Sequence, residues 1–299
     1  MIKHFIGAIT IATAALTAQS SYAVTNTQAD VVFIVDESGS MAGEQDFLAS
    51  TITSLNSALG LANVTDVKYG VIGFGGSTAT GGLYDAPRLV TGLTTVDAAK
   101  TGIESLITSG GFEDGYDAIK FAFDNLSFRA GAARNFILVT DENRDDTPGS
   151  TNTMSSIASL LSSTKTVLNA ILNVSSIEDG NGNTTGVIGI NNNNDAYTAD
   201  GSGGFFTTAL GTLNSSSNSL DYDSLALNSG GAVWDLNVLR QADETNKWND
   251  SFSSAFIDIK VQEITTQPPS GQIPLPAGGW LLLTGLGGLA ALRRKRRAA

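Results

Sequence analysis

The sequence predicts an α/β fold, a doubly wound and mostly parallel six-stranded sheet flanked by helices. Short apolar runs rich in β-branched residues are typical of strands buried on both faces of a parallel sheet. Segments with apolar residues at helical spacing separate most of these runs, and this alternation favours parallel strands. The predicted strands cover residues 31–35, 67–74, 88–91 (a short edge strand), 134–140, 166–174 and 231–236.

Apolar residues at helical spacing predict the helices between these strands. The predicted helices cover 43–61, a segment capped by Thr94 or Thr95 that carries Ala99, Ile103 and Ile107, a segment beginning near Gly115, 152–161, 220–228, and a closing helix marked by Trp248, Phe252, Phe256 and Ile259.

Residues 177–218 interrupt this pattern. They lack apolar periodicity and are rich in Asn, Gly, Ser and Thr, so we expect a flexible insertion, because a long irregular loop is either functional or disordered. The spacing of Asp179, Asn181 and Asn183 is similar to the start of an EF-hand calcium loop, but Ile190 stands where that loop needs a bidentate Glu. Calcium binding in this segment is the alternative.

Composition excludes several kinds of catalytic site. The chain has no Cys, and its single His is His4, which lies in a segment that we expect to be removed. Without His or Cys, the mature chain can build neither a common zinc site nor a Ser-His-Asp triad. We therefore expect a protein that is not an enzyme.

The charge distribution argues against binding to nucleic acid. The formal net charge is −12, and five of the 17 Lys and Arg residues lie together at 293–297. The body of the chain is therefore more acidic than the total indicates. Such a body repels nucleic acid and anionic membrane surfaces but is compatible with divalent cations.

The amino-terminal residues 1–23 predict a secretory signal peptide. A positive start at Lys3 precedes the apolar stretch 5–16, and small residues at Ser21 and Ala23 fit cleavage after Ala23 by signal peptidase. A retained membrane anchor is the alternative, although the apolar stretch is short for one.

The carboxyl-terminal residues predict a second export signal. A linker over 265–273 leads into 274–299, which holds a short apolar segment at 277–292 and then the basic cluster. A helix over 277–292 would be roughly 24 Å long, at or below the length needed for a bilayer core of about 30 Å. Basic residues after the span should stay cytoplasmic, which leaves the body of the chain outside.

The Pro-Leu-Pro motif, the short Gly-rich segment and the Arg cluster resemble the PEP-CTERM sorting signal in its Val-Pro-Leu-Pro-Ala variant, with Ile273 in place of Val. This resemblance implies a Gram-negative bacterium and an exosortase-type membrane protease that removes the tail. It also implies export across the inner membrane, a transient membrane anchor, and a final location at the cell surface or outside the cell. A permanent transmembrane tail is the alternative.

Polar side chains follow two of the predicted strands where those strands end. Asp36, Ser38 and Ser40 come directly after the strand at 31–35, and Asp141 follows the strand at 134–140. In open α/β sheets, ligands bind beyond the carboxyl ends of the strands. Carboxylate and hydroxyl oxygens suit Mg²⁺ or Ca²⁺ and suit soft metals poorly.

The strand followed by Asp-x-Ser-x-Ser resembles the metal-ion-dependent adhesion site (MIDAS) of the von Willebrand factor type A (VWA) family, and the resemblance extends across residues 29–264. It implies a Rossmann-like VWA fold. The implied ligands of Mg²⁺ (or Ca²⁺) are Asp36, Ser38, Ser40, Glu113 and Asp141.

Glu113 departs from the pattern of most VWA domains, in which a Thr occupies this loop. The stretch instead resembles the integrin β-subunit variant, which carries a glutamate. The alternative is that Glu113 only interacts favourably with the amino terminus of the helix that follows.

The resemblance implies a function in binding rather than catalysis. We expect a metal-dependent adhesion domain at the cell surface or in the extracellular matrix, which recognises an acidic group on a protein or polysaccharide partner. The alternative is a structural component of an extracellular matrix or biofilm, in which the metal only stabilises the fold.

Overall fold

Strand β1, Gln28–Asp36, lies in the interior of the protein, and its residues from Ala29 to Asp36 are all buried. Alternate side chains point to opposite faces of a strand, so this burial requires helices on both faces of the sheet. The structure is a computed structural model, and it describes residues 26–41, 43–77, 86–241 and 245–268.

The described residues form eleven strands and seven α-helices. After β1, the strands are β2 Asp66–Phe74, β3 Arg88–Thr94, β4 Ala133–Thr140, β5 Thr166–Leu172, β6 Ser176–Glu178, β7 Val187–Asn191, β8 Ala196–Ala199, β9 Phe205–Thr208, β10 Thr212–Asn214 and β11 Ala232–Asp235. The helices are α1 Glu44–Leu61, α2 Val96–Glu104, α3 Gly115–Asn125, α4 Met154–Thr164, α5 Asp223–Asn228, α6 Leu236–Arg240 and α7 Trp248–Thr266.

The main sheet has the strand order β3-β2-β1-β4-β5-β11-β7-β8-β9. Its central strands β2, β1, β4, β5 and β11 are parallel, whereas β3 pairs antiparallel at one edge. The predicted α/β fold class is confirmed, and all six predicted strands are present. The predicted number of strands is wrong, because the described part of this sheet has nine.

The additional strands come from the segment predicted to be a flexible insertion. Strands β7, β8 and β9 continue the sheet beyond β11 by antiparallel pairing, and β6 pairs with β10 in a second, two-stranded sheet. The segment 177–218, where we expected a flexible insertion, therefore contains regular strands. We call β7, β8 and β9 the sheet extension.

Short polar turns make the sheet extension possible. Asn191 Oδ1 accepts hydrogen bonds from the backbone N–H groups of Asn193 and Asp195, both at 2.9 Å. Asp200 Oδ1 accepts from the N–H groups of Ser202 and Gly204 at 2.7 and 3.0 Å. Asn and Asp favour turns because their side chains bond to nearby backbone in this way. The polar composition therefore encodes hairpin turns.

Asp179 belongs to a turn of the same kind. Its Oδ1 accepts hydrogen bonds from the N–H groups of Asn181 and Asn183, both at 2.8 Å. Each of its carboxylate oxygens also lies within hydrogen-bond distance of the Asn183 side-chain amide. These contacts account for the Asp-Gly-Asn-Gly-Asn spacing without a calcium ion.

Helices cover both faces of the main sheet, as a doubly wound fold requires. On one face, Leu48 and Ile52 of α1 pack in one buried cluster with Phe252 and Phe256 of α7. On the other face, buried residues of α3, α4 and α5 form a second cluster that includes the alternate residues of β1. The six predicted helices are present, but α2 ends at Glu104, before Ile107, and α6 was not predicted.

The predicted targeting segments lie near the two ends of the chain. In the parts of the chain that the structure describes, each helix is too short or too polar to cross a bilayer. The signal peptide (1–23), the sorting signal (274–299) with its apolar segment (277–292), and the linker beyond residue 268 lie outside the described residues. They remain predictions.

We predict that Asn191→Ala destabilises the sheet extension, because it removes the acceptor for two turn N–H groups. The free energy of unfolding should fall by about 1–2 kcal/mol, the usual range for lost hydrogen bonds of this kind. Urea denaturation measures the change. Asn193→Ala in the same turn is the control, because the Asn193 side chain is exposed, and its effect should stay within about 0.5 kcal/mol. Equal effects would contradict this account of the turn.

Candidate metal centre

Asp36 lies at the carboxyl end of β1, where its carboxylate is buried and held by two donors. Its Oδ1 accepts a hydrogen bond from Ser38 N, and its Oδ2 accepts one from Thr140 Oγ1, both at 2.8 Å. Thr140 is the last residue of the neighbouring parallel strand β4. The sheet itself therefore fixes the orientation of the first predicted ligand.

The two predicted serine ligands connect Asp36 to Asp141. A short 3-10 turn, Gly39–Met41, curls the chain after Ser38, and Ser38 Oγ lies 3.1 Å from Ser40 Oγ. Ser40 Oγ donates to Asp141 Oδ1 at 2.9 Å. Ser38 is buried, whereas Ser40 is exposed, so this chain of oxygens leads from the interior to the surface.

Glu113 approaches Asp36 from a third loop. Gly75, just beyond the end of β2, has a φ of +70°, and a Cβ atom there would lie 2.9 Å from both Asp36 Oδ1 and Glu113 Cγ. A side chain at this position would therefore clash with both acidic residues. The structure thus brings all five predicted site residues to the carboxyl edge of the parallel strands.

Asp114, and not Glu113, caps the helix that follows. Asp114 Oδ1 accepts hydrogen bonds from the N–H groups of Tyr116 and Asp117, both at 3.1 Å, and its carboxylate also pairs with Arg144. Glu113 is only 2% exposed, yet among the described residues its Oε2 has no hydrogen-bond partner. The alternative that Glu113 serves only the helix terminus does not explain this unpaired oxygen.

Burial shifts the pKa values of both carboxylates upward. It raises the pKa of Asp36 to about 6, although hydrogen bonds from Ser38 and Thr140 oppose the shift. Burial, and after it the negative charges of Asp36, Glu142 and Asp145, raises the pKa of Glu113 to about 8. Buried carboxylates favour a proton or a cation when like charges lie nearby.

The donor atoms fit a hard divalent cation. The site offers carboxylate and hydroxyl oxygens, which Mg²⁺ and Ca²⁺ prefer, and Glu113 Oε2 is a buried oxygen that lacks a partner. In the described ranges, no group of three or more acidic, His or Cys side chains is arranged to hold a metal by itself. A cation here would therefore depend on Ser38 and Ser40 as well as on the carboxylates.

Arg240 was not predicted to lie at this site. Its Nη2 donates to Asp141 Oδ2 at 2.9 Å and to the Ser40 carbonyl at 3.2 Å, and its Nε donates to Glu44 Oε1. Arg240 ends the five-residue helix α6. A helix this short has too little periodicity to be recognised from sequence.

Glu37 is a second residue that sequence reasoning missed. Its side chain is almost fully buried and pairs with Arg88 on β3, and its Oε1 accepts a hydrogen bond from Ile107 N at 2.8 Å. Glu37 therefore ties the edge strand and the loop after α2 to the end of β1. Its position directly after Asp36 could have indicated a role for Glu37 at this site. The sequence does not show which residues it contacts, because they lie far away along the chain.

The fold and the site together define a class: a doubly wound α/β domain with a cluster of oxygen ligands at the carboxyl edge of its parallel strands. No family model matches the chain, and no curated protein matches it.

Solved structures show a low level of similarity. Proximal thread matrix protein 1 (PTMP1) from the mussel byssus is 17% identical, with a TM-score of 0.39, and the match covers 51% of this chain and 38% of that chain. The same protein with a zinc-occupied MIDAS motif gives 17% identity, a TM-score of 0.38 and the same coverage.

The VWA domain of SpRpn10 is 13% identical, with a TM-score of 0.36, and the match covers 48% of this chain and 74% of that domain. The chain thus spans well under half the length of the byssus protein that it matches. Similarity at these values does not assign a family, so the interpretation of the site rests on its geometry.

The raised pKa of Glu113 predicts that stability in the absence of metal depends on pH. The folded protein keeps a proton on Glu113 up to about pH 8, whereas the unfolded chain loses it near the ordinary value of 4.5. Because the folded state binds the extra proton, the free energy of unfolding should fall as the pH rises between these values. Urea denaturation in EDTA across this range measures the slope.

Glu113→Gln removes the titrating group and keeps the shape of the side chain. We expect this variant to lose much of the slope and to be more stable than wild type at pH 8 to 9. The expected gain is on the order of 1–3 kcal/mol, because one unit of pKa shift corresponds to about 1.4 kcal/mol. The exposed Glu104→Gln is the control and should keep the slope. An unchanged slope in Glu113→Gln would contradict the assignment.

Proposed function

We propose that this chain is a metal-dependent binding domain of the VWA type, in which Asp36, Ser38, Ser40, Glu113 and Asp141 hold Mg²⁺ or Ca²⁺. The observation that carries the proposal is Glu113 Oε2, which is buried without a hydrogen-bond partner among the described residues. A buried carboxylate without a partner costs free energy unless a proton or a cation compensates it. The all-oxygen donor set supports a hard cation.

The chain's own residues prepare the site for a cation. Hydrogen bonds from Ser38 N and Thr140 Oγ1 hold the Asp36 carboxylate in one orientation. Asp141 holds the Ser40 hydroxyl by accepting its hydrogen bond. A bound cation would supply a positive charge able to attract an acidic group of a partner.

The exposed side of the site supports a role in binding a partner. Ser40 is exposed, while Asp36, Ser38 and Glu113 are buried behind it, so a partner would approach past Ser40. We propose that the partner is a protein or polysaccharide with an acidic group, and that it is not a nucleic acid, because the formal net charge is −12.

The remaining proposals rest on the sequence. The absence of Cys and the single His4 support a function other than catalysis. The signals at 1–23 and 274–299 support export from a Gram-negative bacterium, with processing by signal peptidase and an exosortase-type protease. The domain would then act at the cell surface or outside the cell.

Metal removal tests the proposed site directly. At a hundredfold excess over its dissociation constant, a cation that binds only the folded state stabilises it by about 2.7 kcal/mol. Thermal melting with Mg²⁺, Ca²⁺ or EDTA should therefore show a higher melting temperature with metal for the wild type.

Asp36→Asn removes a charge from the centre of the site and keeps the size of the side chain. We expect it to lose the metal response and to melt at least as high as wild type in EDTA, because one of two adjacent buried carboxylates is neutralised. Asp124→Asn is the control, because Asp124 pairs with Lys120 on the exposed face of α3 and should keep the full response. A full response in Asp36→Asn would place the cation elsewhere.

A pull-down from extracellular material separates adhesion from a purely structural metal. With wild type as bait, partners captured in Mg²⁺ should be lost when EDTA is added, and Asp36→Asn should capture none of them. Partners that remain bound in EDTA would favour a matrix component in which the metal only stabilises the fold.

A further inference from the structure

Arg240 brings a fixed positive charge to the edge of the site. Its guanidinium lies between two carboxylates, bonded through Nη2 to Asp141 Oδ2 at 2.9 Å and through Nε to Glu44 Oε1. A third bond runs to the Ser40 carbonyl at 3.2 Å. Glu44 and Asp141 are 4% and 7% exposed, whereas the Arg240 side chain is 31% exposed, so solvent screens these contacts in part.

The Asp141 carboxylate is shared between Arg240 and the site. Its Oδ1 accepts the hydroxyl of Ser40, while its Oδ2 accepts the guanidinium. Part of the negative charge that would attract a divalent cation is therefore already neutralised. A cation held by Asp141 would also be repelled by the guanidinium bonded to the same carboxylate, because like charges repel and solvent screens a partly exposed arginine only in part.

We infer that Arg240 is an internal counter-cation that lowers the affinity of the site for divalent metal. In the metal-free protein it compensates Asp141 and Glu44, and in the metal-bound protein it opposes the added charge. The inference rests on the proposed function, since it concerns the affinity of the same site. Arg240 lies on α6 and is not part of the Asp-x-Ser-x-Ser motif, so the inference adds one residue to the site.

A purely structural arginine would behave differently, and the chain offers one for comparison. Arg129 donates to the buried Asp30 at 2.7 Å and also pairs with Asp66. Asp30 lies near the start of β1, whereas Asp36 lies at its end. Arg129 therefore makes the same kind of ion pair far from the site, and its removal changes the net charge by the same amount.

The test is isothermal titration with Mg²⁺ and Ca²⁺ on wild type and four variants. Arg240→Gln and Arg240→Met remove the charge, and Met keeps an apolar side chain beside Met41. Arg240→Lys keeps the charge, and Arg129→Gln is the matched control. Thermal melting in EDTA and in each metal is recorded in parallel, so that folding is assessed independently of affinity.

We expect both charge-free variants to bind metal about tenfold more tightly than wild type, in line with the loss of one nearby unit charge. Arg240→Lys should stay close to wild type, and Arg129→Gln should lower the melting temperature without changing the affinity. A charge-free variant that folds only with metal would also support the inference, because the cation then replaces the guanidinium.

Two results would overturn the inference while leaving the metal site intact. One is wild-type or weaker affinity in both charge-free variants, and the other is equal tightening in Arg129→Gln. Metal binding by the charge-free variants alone would support the inference and refute the proposed function of the native chain. Failure of wild type and all variants to bind metal would refute both.

Discussion

The burial of two neighbouring carboxylates, those of Asp36 and Glu113, is the constraint on which the rest of the site depends. Removing a carboxylate from water costs free energy, and a second negative charge beside it adds to that cost. Ser38 N and Thr140 Oγ1 compensate Asp36 by donating hydrogen bonds. Glu113 Oε2 has no such donor in the described part of the chain, so its ionised form needs a cation.

The sequence was sufficient to predict the parallel part of the fold because burial there is local and nearly complete. All residues of β1 after Gln28 are buried, and a strand covered on both faces has to be almost continuously apolar. The polar residues that end these strands were equally visible, and parallel pairing brings Asp36 and Asp141 to the same edge. Glu113 was predicted as a ligand from its position before a helix, together with the resemblance to VWA domains.

The features that were not predicted depend on contacts between distant parts of the chain. The sheet extension was read as irregular because its strands are short and its turns are rich in Asn and Gly; it becomes regular only by pairing with β11. Arg240 reaches Glu44, 196 positions away in sequence, and Glu37 reaches Arg88 across 51 positions. No local pattern encodes ion pairs of this kind, since they follow from the order of strands in the folded sheet.

The most direct test of the central claim is a crystal structure of the domain grown with Mn²⁺, a cation that prefers oxygen ligands and is located by anomalous scattering. The account predicts a single strong peak at the carboxyl edge of β1 and β4, in contact with Ser38 Oγ and Ser40 Oγ and facing Glu113 Oε2. A map without a peak at this edge would contradict the account, and so would a map with a peak only at the turn that contains Asp179.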